Sequence, residues 1–131
     1  MKRGLLLFAH GARDARWSAP FEDVARRIRS AAPALAVELA FLELMAPTLR
    51  EAGKRLVAAG CATVDVVPLF LGAGGHVRKD LPELLEQLRS EHAGVDWRLQ
   101  PAIGEVDTVI EAMAQAALRL AAIETATKPA G

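Results

Sequence analysis

The sequence lacks most of the residues that would build cross-links, metal clusters or a nucleic-acid surface. It has one cysteine, Cys61, in 131 residues, which excludes an intramolecular disulfide, a zinc knuckle and a cysteine-held iron–sulfur cluster. Sixteen Lys and Arg residues balance sixteen Asp and Glu residues, whereas a dedicated nucleic-acid binder normally carries a basic surplus. The first apolar run covers only residues 5–9, which is too short for a signal peptide or a membrane span. We therefore expect a cytoplasmic protein that binds neither nucleic acid nor a membrane.

The sequence does have enough apolar surface for one folded domain. The chain is 52% hydrophobic and 24% charged, which lies outside the range of disordered segments. Its length is that of a single domain, and no linker, repeat or low-complexity tract divides it. We predict one domain over residues 1–124, followed by a polar tail over residues 125–131 that we expect to be frayed.

Short apolar runs alternate with helical patterns along the chain. The runs cover residues 5–9, 37–42, 63–71 and 96–100, and their Gly and Pro boundaries are typical of buried strands. Between them, apolar residues recur at helical spacing, with Pro47 expected in the first turn of the second helix and Asp80 with Glu83 as a capping pair of the third. The order β-α-β-α-β-α-β-α predicts an α/β fold, a three-layer α/β/α sandwich with a mainly parallel four-stranded sheet.

Three potential metal ligands follow the predicted strands. His10 comes after the first strand, Glu43 after the second and His76 after the third. Ligands of such sheets bind beyond the carboxyl ends of the strands. Two imidazoles and a carboxylate at one edge suit a divalent first-row metal ion, and imidazole also accepts protons near neutral pH. A lone histidine is more often a solvated residue or a local cap, which is our interpretation of His92, and Glu43 alone could simply precede a helix.

Cationic residues and glycines surround the same predicted edge. The cations are Arg13, Arg16, Arg78 and Lys79, and the glycines are Gly72, Gly74 and Gly75. Arginine side chains suit carboxylates and phosphates, although charges in loops more often form a solvated face. The glycines lack the Gly-Lys-Ser/Thr ending of a phosphate loop, but they would let the backbone approach a flat ligand closely. We interpret Arg13, Arg78, Lys79 and the three glycines as substrate-binding.

Four segments, in this order, resemble the small CbiX-type sirohydrochlorin chelatases, class II tetrapyrrole chelatases of the cobalamin and siroheme pathways. The segments are LLLFAHGARD at residues 5–14, FLE at 41–43 with PTL at 47–49, VPLFL at 67–71 and GGHVRKDLP at 74–82. The likeness covers about residues 4–120. It departs from the family pattern at Ala12, where a serine is common, and in the absence of a His-rich tail.

The resemblance implies a fold, a reaction and a set of ligands. The fold would be a chelatase-like (flavodoxin-like) half-domain, and two copies would pair as a homodimer because longer relatives carry two such domains. The substrates would be sirohydrochlorin and a divalent metal ion, cobalt(II) first, or iron(II), with nickel(II) in some relatives, and no organic cofactor. His10 and His76 would contact the metal, and Glu43 would be the active-site acid. Since only neutral imidazole binds a metal ion, activity should fall as the solution becomes acidic.

Three other functions compete with a chelatase. A histidine phosphatase needs an arginine directly before its nucleophilic histidine, and Ala9 occupies that position. A serine hydrolase of the nucleophile-elbow type needs a G-x-S-x-G motif, which the sequence lacks. A non-catalytic carrier of metal or tetrapyrrole would use the same histidines as a chelatase, so the sequence leaves this alternative open.

Overall fold

Four strands form one sheet in the order β2-β1-β3-β4, and every neighbouring pair is parallel. The computed structural model describes residues 2–72 and 74–125, without the surroundings of Gly75 and the side chain of His76. The strands are β1 (Lys2–Ala9), β2 (Ala36–Phe41), β3 (Cys61–Pro68) and β4 (Asp96–Leu99). The helices are α1 (Ala19–Ala31), α2 (Leu49–Ala58), α3 (Gly75–Glu91) and α4 (Asp107–Leu120), with 3₁₀ turns at Ala15–Ser18 and Ile103–Glu105. The predicted order of elements is confirmed, and the predicted tail lies outside the described residues from position 126 onward.

The central position of β1 in the sheet explains why residues 5–9 are continuously apolar. β1 pairs with β2 on one side and β3 on the other, and Leu6, Leu7 and Phe8 are almost completely buried. A strand covered on both faces has no solvent side on which to alternate polar residues. The carboxyl end of β1 therefore lies in the middle of the sheet edge, between the ends of its two neighbours.

The two faces of the sheet are covered unequally. α2 and α3 cover one face, where Leu56 and Leu88 join Phe8 in the larger core cluster, and Phe8 meets Phe70 edge-on with ring centroids 5.9 Å apart. On the other face, α1 packs over β1 and β2 through Ala25. Helices on both faces confirm the predicted three layers, although α1 leaves the β3 side of its layer open.

Two predicted helix starts are wrong, each because a different residue caps the helix. α2 begins at Leu49 with Thr48 as its N-cap, so Pro47 precedes the helix instead of lying in its first turn. The Thr48 hydroxyl accepts the Glu51 N–H, and the Glu51 carboxylate accepts the Thr48 N–H, which forms a capping box. α3 begins at Gly75 after an extended Gly74.

The earlier start of α3 places Asp80 and Glu83 inside the helix, where they cap nothing. The third strand covers Cys61–Pro68, so it starts two residues earlier and ends three residues earlier than the predicted range of 63–71. Within the described ranges, no helix has the length and apolar character needed to cross a membrane.

Candidate metal-binding site

Adjacent strand ends bring His10 and Glu43 together. Ala9 pairs with Phe41 in the last register position of β1 and β2. The pairing continues into the two loops, because Leu42 N–H donates to the Ala9 carbonyl at 2.9 Å and Glu43 N–H donates to the His10 carbonyl at 3.1 Å. The side chains meet as a result, with His10 Nε2 lying 3.8 Å from Glu43 Oε1. The prediction that these two residues share one edge of the sheet is confirmed by their positions.

The orientation of the His10 ring leaves Nε2 available. Nδ1 lies 3.3 Å from the Gly11 carbonyl oxygen, and a carbonyl only accepts hydrogen bonds, so this contact favours the proton on Nδ1. Nε2 then carries a lone pair that faces the Glu43 carboxylate. A separation of 3.8 Å is too long for a direct hydrogen bond. Both side chains are about half exposed, at 50% and 54%, so the space between them is open to an incoming ion.

Gly11 allows the two loops to approach each other. Its φ of +98° is in the left-handed region, and a Cβ atom at this position would lie 1.9 Å from the Glu43 carbonyl oxygen. Both observations require glycine. Our interpretation of the sequence did not single out Gly11, although a glycine directly after a histidine at the end of a strand was a signal for it.

The loop that carries Glu43 has an unusual backbone. Leu44 adopts a φ of +66° and is 59% exposed, and the Ala46–Pro47 peptide is cis. Phe41 N–H donates to the Pro47 carbonyl at 2.9 Å, which closes the loop on the end of β2. A branched apolar residue in the left-handed region costs roughly 1–2 kcal/mol, and such positions cluster at functional sites. The turn at Leu44 directly follows Glu43 and fixes where the loop leaves the site.

The second predicted histidine is described only by its backbone. His76 lies in the first turn of α3, and its side chain lies outside the described residues. Its approach to His10 therefore stays a prediction. Among the side chains that the structure describes, no group of three or more His, Cys, Asp or Glu residues is arranged to hold a metal ion. The described part of the site is the pair formed by His10 and Glu43.

Two arginines follow His10, and their surroundings differ. Arg13 is exposed in the loop after Gly11. Arg16 instead binds Asp14, with its Nε 3.2 Å and a terminal nitrogen 3.0 Å from the carboxylate. The hydrogen bonds from the Arg16 side chain and backbone hold the pKa of Asp14 below its usual range. Arg16 is therefore paired within its own loop.

Of the two predicted cations on α3, one has a described ionic partner. Arg78 is 3.7 Å from Glu105 and lines a cavity of about 410 Å³ together with Phe70 and Gln100, on the β4 side of the sheet. Lys79 is exposed on the same helix. Among the described contacts, none joins Arg78 to the pair of His10 and Glu43.

Gly72 and Gly74, which follow β3, lie in surroundings that do not require a glycine. At Gly72 and Gly74, a Cβ atom would meet no atom within 4 Å, and neither residue has a positive φ. Gly75 begins α3, and its surroundings lie outside the described part of the chain. An open backbone at Gly72 and Gly74 fits the predicted close approach of a flat ligand.

His92 and Cys61 have structural surroundings, which for His92 agrees with our interpretation of the sequence. His92 is the C-cap residue of α3, its carbonyl accepts the Trp97 indole N–H at 3.3 Å, and its ring lies against the Trp97 ring. Cys61 begins β3 at the opposite edge of the sheet. Burial raises the pKa of the Cys61 thiol, which keeps it protonated and unreactive.

The fold is shared with solved structures. A cobalamin (vitamin B12) biosynthesis CbiX protein from Marinobacter aquaeolei VT8 is 36% identical, with a TM-score of 0.80 over 92% of this chain and 98% of that chain. The sirohydrochlorin chelatase SirB from Bacillus subtilis subspecies spizizenii, solved with cobalt, is 26% identical, with a TM-score of 0.79 over 92% of this chain and 52% of that chain. This chain thus spans about half of SirB, and its class is that of the metal chelatases.

Sequence comparisons lead to the family. The sirohydrochlorin cobaltochelatase of Sulfurisphaera tokodaii is 33% identical over 108 residues, which are 78% of this chain and 88% of the relative. The CbiX family model matches residues 4–120. The chain belongs to the CbiX family, which confirms the resemblance seen in the sequence.

Proposed function

We propose that this chain is a sirohydrochlorin chelatase, which inserts a divalent metal ion into the macrocycle and releases two pyrrole protons. The observation that carries the proposal is the distance of 3.8 Å between His10 Nε2 and Glu43 Oε1 at the carboxyl edge of the sheet. A metal ligand and a proton acceptor are the two groups that this exchange needs. The relatives named sirohydrochlorin cobaltochelatase support the choice of macrocycle.

His10 binds the incoming ion in this proposal, together with His76. The contact of Nδ1 with the Gly11 carbonyl holds the ring so that Nε2 faces outward, and such contacts orient metal-binding histidines in general. Imidazole suits cobalt(II), iron(II) and nickel(II) without the tight hold of thiolates. Moderate affinity matters because the ion must leave the protein for the macrocycle.

Glu43 accepts a pyrrole proton or shares the ion with His10. Its carboxylate is half exposed, so a proton taken from the ring can pass on to water. The exchange balances in charge, since one divalent ion enters as two protons leave. We assign the first proton transfer to Glu43 because an imidazole that holds the ion has no lone pair left to accept a proton.

Other residues near the sheet edge that carries His10 and Glu43 contact the macrocycle in this proposal. Sirohydrochlorin carries eight carboxylates, and the exposed Arg13 and Lys79 are suited to bind them. The open backbone at Gly72 and Gly74 lets the flat ring approach. Arg78 contributes once it exchanges its Glu105 partner for a substrate carboxylate, because their separation of 3.7 Å marks a loose ion pair.

The proposal also covers the identity of the metal ion, the biosynthetic pathway and the oligomeric state. Cobalt(II) is our first choice because relatives are named cobaltochelatases and one SirB structure contains cobalt. Iron is the alternative metal, as iron(II) in the reaction, since another SirB structure, from Bacillus subtilis, contains Fe³⁺. The product serves cobalamin or siroheme biosynthesis accordingly. We propose a homodimer located in the cytoplasm.

The deciding experiment mixes the purified protein with excess sirohydrochlorin and cobalt(II) and follows the absorption of the macrocycle against a reaction without enzyme. Several turnovers per protein chain are expected. A spectral change that stops at one equivalent per site would instead indicate a carrier and would contradict the proposal. Repeating the reaction with iron(II) and nickel(II) at equal free concentrations ranks the metals.

A further inference from the structure

Leu44 combines two features that the folded chain does not need. It adopts a φ of +66°, in the left-handed region, and it is 59% exposed. Glycine and asparagine occupy this region at a lower cost than a branched apolar residue, and a polar side chain would suit the exposure better. Among the described residues, the only other positive φ outside glycine is at Ala122. The fold by itself therefore favours a different residue at position 44.

The loop after β2 crosses the end of the sheet, with Glu43 and Leu44 at its exposed centre. Leu42 packs against the core cluster on the α2 and α3 face, and Met45 packs against the cluster on the α1 face. Both of these flanking side chains are partly buried, whereas Glu43 and Leu44 between them are exposed. The left-handed turn at Leu44 therefore lies between two fixed points, directly after the carboxylate of the candidate metal site.

Backbone hydrogen bonds hold the loop on both sides of Leu44. Glu43 N–H donates to the His10 carbonyl at 3.1 Å, and Phe41 N–H donates to the Pro47 carbonyl at 2.9 Å. Leu44 is in neither of the two described core clusters, so its side chain is presented at the sheet edge. Consecutive Cα atoms are about 3.8 Å apart, so a flat ligand that reaches His10 and Glu43 also comes within reach of Leu44.

We propose that Leu44 is a substrate-contact residue, whose side chain packs against the face of the macrocycle and positions the ring over His10 and Glu43. The inference rests on the proposed function. Sirohydrochlorin carries its carboxylates at the periphery, where Arg13 binds them in that proposal, and the face of its ring is apolar. A leucine held at the exposed edge complements this face, because packing against the ring removes its apolar surface from water.

The fixed backbone strengthens this contact. A side chain that is already held at the site loses less conformational freedom on binding than one on a loop that must first be ordered, so more of the contact appears as affinity. Covering the exposed part of one leucine side chain corresponds to about a tenfold change in affinity. Leu44 has no atom that binds a metal ion, so its contribution is to the affinity for the macrocycle and not to the affinity for the metal.

The first test compares stability with substrate affinity in Leu44→Asn. Asparagine tolerates the left-handed region and is polar, so the midpoint of thermal unfolding is expected to stay equal or to rise. The Kd for metal-free sirohydrochlorin, followed by the absorption of the macrocycle, is expected to rise about tenfold. Leu44→Met keeps an apolar side chain of similar volume and is expected to stay within about twofold of the wild-type Kd.

Opposite changes in stability and affinity are what a structural role would not produce. A lower unfolding midpoint in Leu44→Asn, a wild-type Kd in that variant, or an equal loss of affinity in Leu44→Met would each overturn the inference. The matched control is Ala122→Asn, which makes the same kind of change at the other positive φ. Ala122 follows the far end of α4, a helix about 21 Å long, and this variant is expected to keep the wild-type Kd. An equal rise of Kd in Ala122→Asn would also contradict the assignment.

The second test separates this inference from the proposed function. Titration of Leu44→Asn with cobalt(II) alone is expected to give the affinity of the wild type, and sedimentation equilibrium is expected to give the same oligomeric state. A changed oligomeric state would assign Leu44 to a contact between copies and overturn the inference. If the wild type turns over and Leu44→Asn binds the macrocycle as tightly, the proposed function stands and the role of Leu44 is wrong. A wild type that binds no metal-free sirohydrochlorin would contradict both.

Discussion

A Cβ atom on Gly11 would lie 1.9 Å from the carbonyl oxygen of Glu43. This close approach joins the loops after β1 and β2, which carry the two side chains of the described part of the candidate metal site. Together with the hydrogen bond from Glu43 N–H to the His10 carbonyl, it sets the positions of both functional groups. The positions of the His10 and Glu43 side chains therefore depend on the close approach of the two loop backbones.

Gly11→Ala should damage the protein more than Gly72→Ala. At Gly11, a left-handed φ costs roughly 1–2 kcal/mol for alanine, and the added methyl group also forces the loops apart. At Gly72, the methyl group meets open space. Urea unfolding should show a loss of about 2 kcal/mol or more for the first variant and little change for the second. The Gly72 variant should nevertheless have a raised KM for sirohydrochlorin, and an unchanged KM would contradict close approach of the macrocycle there.

His10→Ala should weaken cobalt(II) binding while the protein stays folded. The side chain is half exposed, so its removal leaves little cavity. Loss of even an outer partner of a metal ligand costs about 10- to 100-fold in affinity, so loss of His10 itself should cost at least about tenfold. Isothermal titration with cobalt(II) measures the change, and His92→Ala, remote from the site, is the matched control.

Glu43→Gln and His76→Ala separate proton transfer from metal binding. Glu43→Gln keeps the shape of the side chain but removes its basic oxygen, so kcat should fall more than the cobalt(II) affinity does. His76→Ala should reduce the affinity as His10→Ala does. A His76 variant with the metal affinity and rate of the wild type would show that the second ligand is a different residue.

Arg13→Ala should raise the KM for sirohydrochlorin, and Arg16→Ala should do so less. Arg13 is exposed beside the site, whereas Arg16 is bound to Asp14 at 3.0 Å. An exposed ion pair contributes up to about 1 kcal/mol, which corresponds to roughly a fivefold change in KM. Steady-state kinetics at low salt give the clearest comparison, because salt screens exposed charges. Equal effects of the two substitutions would contradict the assignment.

The capping box of α2 should make stability depend on pH. Hydrogen bonding with Thr48 lowers the pKa of Glu51 from its usual value of 4.5. A carboxyl whose pKa is lower in the folded state stabilises the fold fully above its unfolded pKa. This contribution is lost as the pH falls through the folded pKa. The difference in unfolding free energy between the wild type and Glu51→Gln should therefore shrink between pH 6 and pH 3.

Thr48→Ala removes the other half of the box and should cost about 1 kcal/mol at neutral pH. Urea unfolding at several pH values measures both variants. If the difference in unfolding free energy between the wild type and Glu51→Gln stays constant with pH, the charged carboxylate does not stabilise the cap.

Local patterns were enough to predict the elements, but they missed what caps the helices. The run of Leu6, Leu7 and Phe8 identifies a buried strand because each residue must avoid water on both faces. The start of α3 was placed too late because Asp80 and Glu83 have the sequence of a capping pair. A capping pair acts only where the backbone is still extended, and the backbone is already helical from Gly75. Thr48 and Glu51, the functioning pair, have the same kind of signature.

The sequence by itself determined the α/β alternation and the presence of His10, Glu43 and His76 just beyond strand ends, because hydrophobic periodicity acts over a few neighbouring residues. Only the tertiary structure decided that β1 lies between β2 and β3, that Gly11 packs on the Glu43 backbone, and that no residue of α4 is buried within the part of the chain that the structure describes. These features depend on which distant segments touch, and contacts between distant segments arise from shape and close packing that no local pattern records.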